Sequence, residues 1–124
     1  MTMQREDNPM HTIPEAQGED TCDMTLRAVA GRAHTYSKRQ GFWERYDPQS
    51  VDTALVKLAL IVSEVGEAVE AVRRGNEPNL AEELADIIVR VCEFAEARGI
   101  DIEKAVFAKM QMNEARPYMH GKLA

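Results

Sequence analysis

The sequence predicts an all-α protein, folded as an antiparallel four-helix bundle. Apolar residues recur at three- and four-residue spacing in four separate stretches, which is the period of a helix with one buried face. A glycine follows each of the first three stretches, at Gly41, Gly75 and Gly99, where a helix commonly ends. The connections are short, as at residues 75–79, and short connections favour antiparallel neighbours.

Composition narrows the class of protein. The chain has 124 residues, 44% of them hydrophobic and 29% charged, which suits one globular domain. The net charge of −6 argues against a nucleic acid or an anionic membrane as the main partner. No apolar run approaches the roughly 20 residues that a membrane span needs, and the N-terminal residues do not resemble an export signal. We therefore expect a cytoplasmic protein with Cys22 and Cys92 as free thiols.

The domain is expected to start after a disordered tail. Residues 1–20 are charged, contain two prolines and lack apolar periodicity, so we assign the helical domain to residues 21–124. Thr21 or Asp23 can cap a first helix over residues 24–40. Its apolar stripe consists of Leu26, Val29, Ala30 and Ala33.

An aromatic loop follows at residues 41–50. Phe42, Trp43 and Tyr46 lie within five positions of one another. Such rings commonly cover the end of a core, and they can also stack on a planar ligand. The residues alone favour the first interpretation.

The second helix is predicted over residues 50–74. Its core stripe consists of Val51, Leu55, Leu58, Val62, Val65, Val69 and Val72. Glu64 and Glu67 lie off that stripe, three residues apart and on one helix face. Alone, such a pair is more often a solvated surface than a metal site.

The third helix carries a second acidic pair. Residues 79–82 have the form of a capping box, which gives Glu82 a structural role, and the helix continues to about Arg98. Its predicted buried side consists of Leu80, Leu84, Ile87, Ile88, Val91 and Phe94. Glu83 and Asp86 have no capping role of this kind. Arg90 lies four residues after Asp86 and can neutralise the charge of Asp86.

Packing the second and third helices antiparallel can bring these four carboxylates together. Like charges held in one small volume repel one another unless a cation lies between them. Oxygen ligands of this kind suit hard divalent cations. The working hypothesis is a magnesium site on a helical hairpin.

The fourth helix is predicted from a cap at Asp101 to about Glu114, with Ile102, Ala105, Val106 and Met110 facing the core. Near its end, Lys109, Asn113 and Arg116 share one face. Cations at a helix C-terminus are favoured by the helix dipole, and the same groups suit phosphate oxygens. His11, His34 and His120 lack ligand spacing, and none is assigned to a metal.

Taken in order, these motifs resemble the MazG-like nucleoside triphosphate pyrophosphohydrolases. These are all-α enzymes that convert an NTP or dNTP to the monophosphate and pyrophosphate. The matching motifs are EVGE at residues 64–67, ELAD at residues 83–86, and the Lys109, Asn113, Arg116 and Pro117 series. The GFW segment at residues 41–43 is similar to the base-holding segment of the dCTPase-type branch, and the likeness covers residues 41–122.

The resemblance implies Mg²⁺, or Mn²⁺, held by Glu64, Glu67, Glu83 and Asp86. It implies that the triphosphate is bound by Lys109, Asn113 and Arg116, and that Trp43 stacks on the base. It also implies that a homodimer or homotetramer completes the bundle. Many relatives have a second Glu where this chain has Ser63, so the general base is left unassigned.

Two alternatives stay open. One is a phosphoribosyl-ATP pyrophosphohydrolase-like enzyme, which would have similar carboxylate helices and a different substrate. The other is a non-catalytic helical module for dimerisation or regulation, in which the acidic residues are ordinary surface. The choice of nucleotide is equally open within the first family.

Overall fold

A computed structural model of the protein describes residues 24–118. This part of the chain folds into four helices and contains no strand: α1 (Leu26–Arg39), α2 (Val51–Arg73), α3 (Glu77–Ala97) and α4 (Ile102–Glu114). α3 is the central helix, because it packs extensively against both α1 and α2. α4 makes smaller contacts with α1 and α3. The predicted all-α, four-helix fold is confirmed.

The helix ends follow from local side-chain chemistry. Thr25, Ser50, Asn76 and Asp101 each cap a helix by accepting a hydrogen bond from a backbone N–H of the first turn. Gly41, Gly75 and Gly99 all adopt positive φ where the first three helices end, as predicted.

Two predicted caps were wrong. α1 is capped by Thr25, closer to its apolar stripe than either Thr21 or Asp23. α3 starts at Glu77, so Asn79 lies inside the helix and donates its N–H to the true cap, Asn76. The earlier start is possible because a proline, here Pro78, is tolerated in the first turn, where its missing N–H would have no helical partner.

The predicted core stripe of α2 is exposed. All seven side chains of the stripe are exposed, with exposed fractions of 73% for Val51 and 69% for Val62. The buried side chains of α2 are instead small or polar: Thr53, Glu64, Ala68 and Ala71. Alanines allow a close approach of two helices, and α3 is the one extensive neighbour of α2 in the described part of the chain. The stripe assignment was therefore wrong for a single chain.

The other helices show the same pattern. Leu84 and Ile88 of α3 are about half exposed, as is Met110 of α4, although all three were predicted to be buried. α4 has no fully buried residue. Small side chains make up most of the core, whose apolar members are Ala30, Trp43, Ala68, Ala71, Cys92 and Ala95. Cys92 is a free thiol, as expected, and burial raises its pKa.

Several predictions concern residues outside 24–118. These are the disordered tail at residues 1–20, the free thiol of Cys22, and the exclusion of His11 and His120 as metal ligands. All of them stay predictions. Among the helices that the structure describes, none combines the length and apolar character needed to cross a membrane.

Candidate metal centre and the adjoining cavity

Three carboxylates meet where α2 crosses α3. One oxygen each from Glu64, Glu83 and Asp86 can be chosen so that all three lie within 4.8 Å of one another. Glu64 and Glu83 are buried, with 9% and 7% of their surface exposed, whereas Asp86 lies at the open edge. The close packing of α2 on α3 therefore brings together acidic residues that lie about 20 positions apart in the chain.

This acidic centre perturbs the ionisation of its own members. Burial and the neighbouring carboxyl groups of Glu64 and Glu67 raise the pKa of Glu83 to about 7. The pKa of Asp86 is raised too, first by burial and then by the charge of Glu64. The pKa of Glu83 therefore lies close to neutral pH, so Glu83 is partly protonated where an ordinary glutamate is fully ionised.

Glu64 differs because a guanidinium lies against it. Arg90 of α3 donates from Nε to Oε1 of Glu64 across 2.7 Å. Burial acts to raise the pKa of Glu64, but this bond and those to the neighbouring carboxyl groups lower it overall. We expected Arg90 to neutralise Asp86 within α3. It lowers the pKa of Asp86 through its charge, but its short ion pair crosses to α2.

The donor set fits a hard divalent cation. Oε2 of Glu83 is buried and has no hydrogen-bond partner within residues 24–118, an arrangement that costs free energy. Oxygens from Glu64 and Asp86 lie on the same small volume. Mg²⁺ and Mn²⁺ both take carboxylate oxygens as ligands. These three residues can therefore hold either ion.

Glu67, the fourth predicted ligand, is placed differently. It lies one turn after Glu64 and is exposed, and it is not one of the three residues whose oxygens converge. Its carboxyl group nevertheless helps to raise the pKa of Glu83. Its role as a ligand stays a prediction.

A cavity of about 480 Å³ opens beside the acidic centre. It lies between α1, the 40–50 loop, α2 and α3, and Asp86 and Arg90 line its edge toward the carboxylates. Tyr36, Phe42 and Tyr46 supply aromatic surface to it. Its size and its aromatic and apolar lining, together with the charged groups of Lys57, Asp86, Arg90 and Glu93, are typical of a site for a small organic ligand.

Glu93, which lines this cavity, is held in a network with Trp43 and His34. Nε1 of Trp43 donates to Oε1 of Glu93, and Nδ1 of His34 lies 2.9 Å from the same oxygen. The His34 and Trp43 rings also meet edge to face, with centroids 5.6 Å apart. Nζ of Lys57 lies 4.3 Å from the centroid of the Trp43 ring.

Two neighbouring residues of the aromatic loop are placed differently, one in the core and one at the cavity. Trp43 is buried at 9% exposure and is not among the described residues that line the cavity. Phe42 is 56% exposed and does line it. Base stacking by Trp43 stays a prediction, and the structure adds Phe42 and Tyr46 as rings that a planar ligand could meet.

The predicted phosphate-binding residues lie along the end of α4. Lys109, Asn113 and Arg116 are all exposed. Nζ of Lys109 lies 3.8 Å from Sδ of Met112, and within residues 24–118 neither Lys109 nor Asn113 bonds to the acidic centre. Phosphate binding by these residues stays a prediction.

Sequence reasoning missed three residues around the cavity: His34, Lys57 and Glu93. One signal could have found Glu93. Asp86, Arg90 and Glu93 follow Glu83 at helical spacing, so a polar strip runs along α3 from the acidic centre into the cavity wall. His34 lies on α1 and gives no such signal, because its link to Glu93 depends on how α1 packs on α3.

A sequence model of one family matches this region. The MazG nucleotide pyrophosphohydrolase domain matches residues 52–117, more than half of the chain. The match covers the acidic centre and α4, whereas Trp43 and His34 precede it. No curated protein and no solved structure matched the chain. With its helical fold and its carboxylates on α2 and α3, the chain belongs to the MazG nucleotide pyrophosphohydrolase family.

Proposed function

We propose that this protein hydrolyses a nucleoside triphosphate or deoxynucleoside triphosphate to the monophosphate and pyrophosphate, and that it requires Mg²⁺. The observation that carries the proposal is the convergence of Glu64, Glu83 and Asp86 at the edge of a cavity with aromatic walls. A metal centre next to a pocket for a planar group is what a nucleotide-hydrolysing enzyme needs.

The carboxylates would hold the metal, with Glu67 as the fourth ligand. Bound Mg²⁺ supplies positive charge to phosphate oxygens and lowers the pKa of a coordinated water. Arg90 bonds to Glu64 and also lines the cavity, so its guanidinium would be placed to donate a hydrogen bond to a substrate phosphate. Lys109, Asn113 and Arg116 would bind the outer phosphates and offset the charge that develops on pyrophosphate.

The reaction balances without another reactant. Water adds to one phosphorus of the α–β anhydride, the bridging P–O bond breaks, and pyrophosphate leaves while the monophosphate keeps the base and sugar. A proton must leave the attacking water. Ser63 occupies the position of a Glu found in many relatives, and its neutral hydroxyl is a poor base. We therefore name no general base outside the acidic centre for this proton.

We also propose that a second copy of this chain covers the exposed stripe of α2. Its seven apolar residues follow one another at alternating spacings of four and three, which is the seam of a coiled coil. Asp52 and Arg73 flank the seam on the same side at opposite ends of α2. An antiparallel pairing of two α2 helices would place Asp52 of each copy near the partner subunit's Arg73.

The activity is tested by incubating the full chain with a panel of NTPs, dNTPs and phosphoribosyl-ATP, with and without Mg²⁺, and measuring pyrophosphate. We expect release with Mg²⁺ only. Asp86→Asn and Glu67→Gln should each reduce it by at least about 100-fold, because each removes a charged oxygen ligand. Helicity should be unchanged by circular dichroism.

Glu70→Gln is the matched control, since Glu70 is an exposed acid on α2 that pairs with Arg73. It should keep the wild-type rate. Full activity of Asp86→Asn would contradict this site. The absence of turnover from the whole panel, together with no Mg²⁺-dependent change in melting temperature, would instead favour a non-catalytic module.

A further inference from the structure

Glu93 lines the cavity, and residues 24–118 leave one of its two carboxylate oxygens without a hydrogen-bond partner. Oε1 is bonded to both Trp43 and His34, whereas no described residue bonds to Oε2. The side chain is only 13% exposed and lines the cavity. A half-used carboxylate in a largely buried wall is an acceptor available to a ligand.

We propose that Glu93 selects the nucleobase by accepting a hydrogen bond from an exocyclic amino group. The substrate would then be a cytosine or adenine nucleotide in preference to a uracil or thymine nucleotide. This inference rests on the proposed function, because it concerns the cavity that would receive the base of the hydrolysed nucleotide.

The setting of Glu93 makes it a rigid acceptor. Two donors from different elements, Trp43 in the loop and His34 on α1, fix Oε1. Trp43 is itself buried and has the ammonium of Lys57 over its ring. An acceptor whose direction is fixed in advance discriminates between ligands better than a mobile one, because the wrong ligand cannot reorient it.

The location also suits a base. Glu93 lies seven residues after Asp86 on the same face of α3, which places it about 10 Å farther along the helix axis. A nucleotide that has its phosphates at Asp86 and extends along the cavity would bring its base toward Glu93. The aromatic rings of Phe42 and Tyr46 line the same cavity and can contact the base face.

The group at position 4 of the pyrimidine ring explains the expected preference for cytosine over uracil and thymine. An ionised carboxylate can only accept hydrogen bonds, and the 4-amino group of cytosine donates one. Uracil and thymine have a carbonyl oxygen at that position, so two acceptors would face each other. We expect a preference of roughly ten- to a hundredfold, the usual range for one well-placed pair.

Lys57 is a second residue of the cavity that could select the base by hydrogen bonding. Its ammonium lines the cavity and lies near the Trp43 and Tyr46 rings. As a donor it would favour the 4-carbonyl of uracil or thymine, which is the opposite preference. The identity of the preferred pyrimidine therefore distinguishes Glu93 from Lys57.

The test measures binding of nucleoside monophosphates to the full chain through the fluorescence of Trp43, the single tryptophan of the sequence. We expect dCMP and dAMP to bind at least about tenfold more tightly than dUMP and dTMP. Glu93→Gln keeps an acceptor for Trp43 and His34 and adds a donor, so it should bring the dCMP and dUMP affinities close together. Glu96→Gln, an exposed acid one turn later, should keep the wild-type preference.

A ligand-side comparison avoids any risk that a variant misfolds. The monophosphate of 2-pyrimidinone, which lacks the 4-amino group, should bind the wild-type protein at least about tenfold more weakly than dCMP. Equal affinities for dCMP and dUMP, a preference for dUMP, an unchanged preference in folded Glu93→Gln, or no binding of any monophosphate would each overturn the inference.

Pyrophosphate assays separate this inference from the proposed function. Hydrolysis of all four dNTPs with similar kcat/KM would contradict selection by Glu93 and leave the activity intact. Selective binding of dCMP without pyrophosphate release from any nucleotide of the panel would contradict the activity and leave selection by Glu93 intact.

Discussion

The two faces of α2 follow opposite rules. The face toward α3 buries Glu64 beside alanines, whereas the opposite face leaves seven valines and leucines in water. In a surface helix of a monomeric protein, the charged residues normally face water and the valines pack against the core. We propose that each face is completed from outside the single chain, the acidic face by a cation and the apolar face by a second copy of the chain.

This difference separates two kinds of incompleteness. The acidic face is costly because a buried carboxylate oxygen of Glu83 lacks a hydrogen bond within the described part of the chain. The apolar face is costly because it keeps a large area of hydrocarbon in contact with water. The first cost is sensitive to pH and divalent metals, and the second to protein concentration.

A charge in the exposed stripe of α2 should have the strongest consequence. Val62→Glu places a charge in the middle of the exposed α2 stripe, where a second copy would have to bury it. We expect the dissociation constant of the homo-oligomer to rise by at least about 100-fold, measured by sedimentation velocity over a range of concentrations.

Val56→Glu is the control for this substitution, because Val56 is an exposed residue of α2 outside the seam. It should leave the sedimentation coefficient unchanged. A wild-type protein that stays monomeric at micromolar concentration would refute the assembly, whatever the behaviour of the variant.

The raised pKa of Glu83 predicts how the free energy of unfolding depends on pH. The pKa of Glu83 is raised to about 7, above its value in an unfolded chain. Between these two pKa values the native protein binds more protons than the unfolded one, so its free energy of unfolding falls as pH rises toward about 7. Urea denaturation without divalent metal should show this decline, and Mg²⁺ should restore more stability at about pH 8 than at about pH 6.

Glu83→Gln removes the ionisable group and keeps the side-chain shape. Its stability should therefore vary less with pH over the same interval. Identical pH dependence of the two proteins between about pH 5 and pH 8 would show that Glu83 titrates normally in the folded state.

Removal of Arg90, which pairs with Glu64, should have a milder consequence. Arg90→Met removes a guanidinium whose side chain is 44% exposed, so the loss of stability without metal should be modest, about 1 kcal/mol. Mg²⁺ should bind several-fold more tightly to this variant, because a positive charge no longer competes for Glu64. Weaker Mg²⁺ binding by the folded variant would contradict this competition.

Much of the fold could be predicted because it depends on local signals. The glycines at positive φ, the cap at Asp101 and the helical periodicity placed all four helices within a few residues. The error at α3 arose because the capping-box pattern at residues 79–82 competed with Asn76, which is the cap in the structure. Choosing between two plausible caps depends on tertiary context that a short window lacks.

The buried faces could not be predicted from periodicity alone. The spacing of valines on α2 identifies an apolar face but does not say whether its partner belongs to the same chain. The acidic pairs were identified from spacing and resemblance, and the structure brings Glu64, Glu83 and Asp86 together. The contact between Glu93 and His34 joins residues 59 positions apart, so it depends on the packing of α1 against α3 and not on a motif.

We propose that the acidic centre between α2 and α3 holds a divalent cation. Isothermal titration of the metal-free wild-type protein with Mg²⁺ and with Mn²⁺ at about pH 8 tests it directly, with Glu83→Gln as the matched variant. We predict saturable binding with a fixed number of ions per chain in the wild-type protein, and its loss in the folded variant. Absence of saturable binding to the wild type, or equal binding to both proteins, would contradict the account.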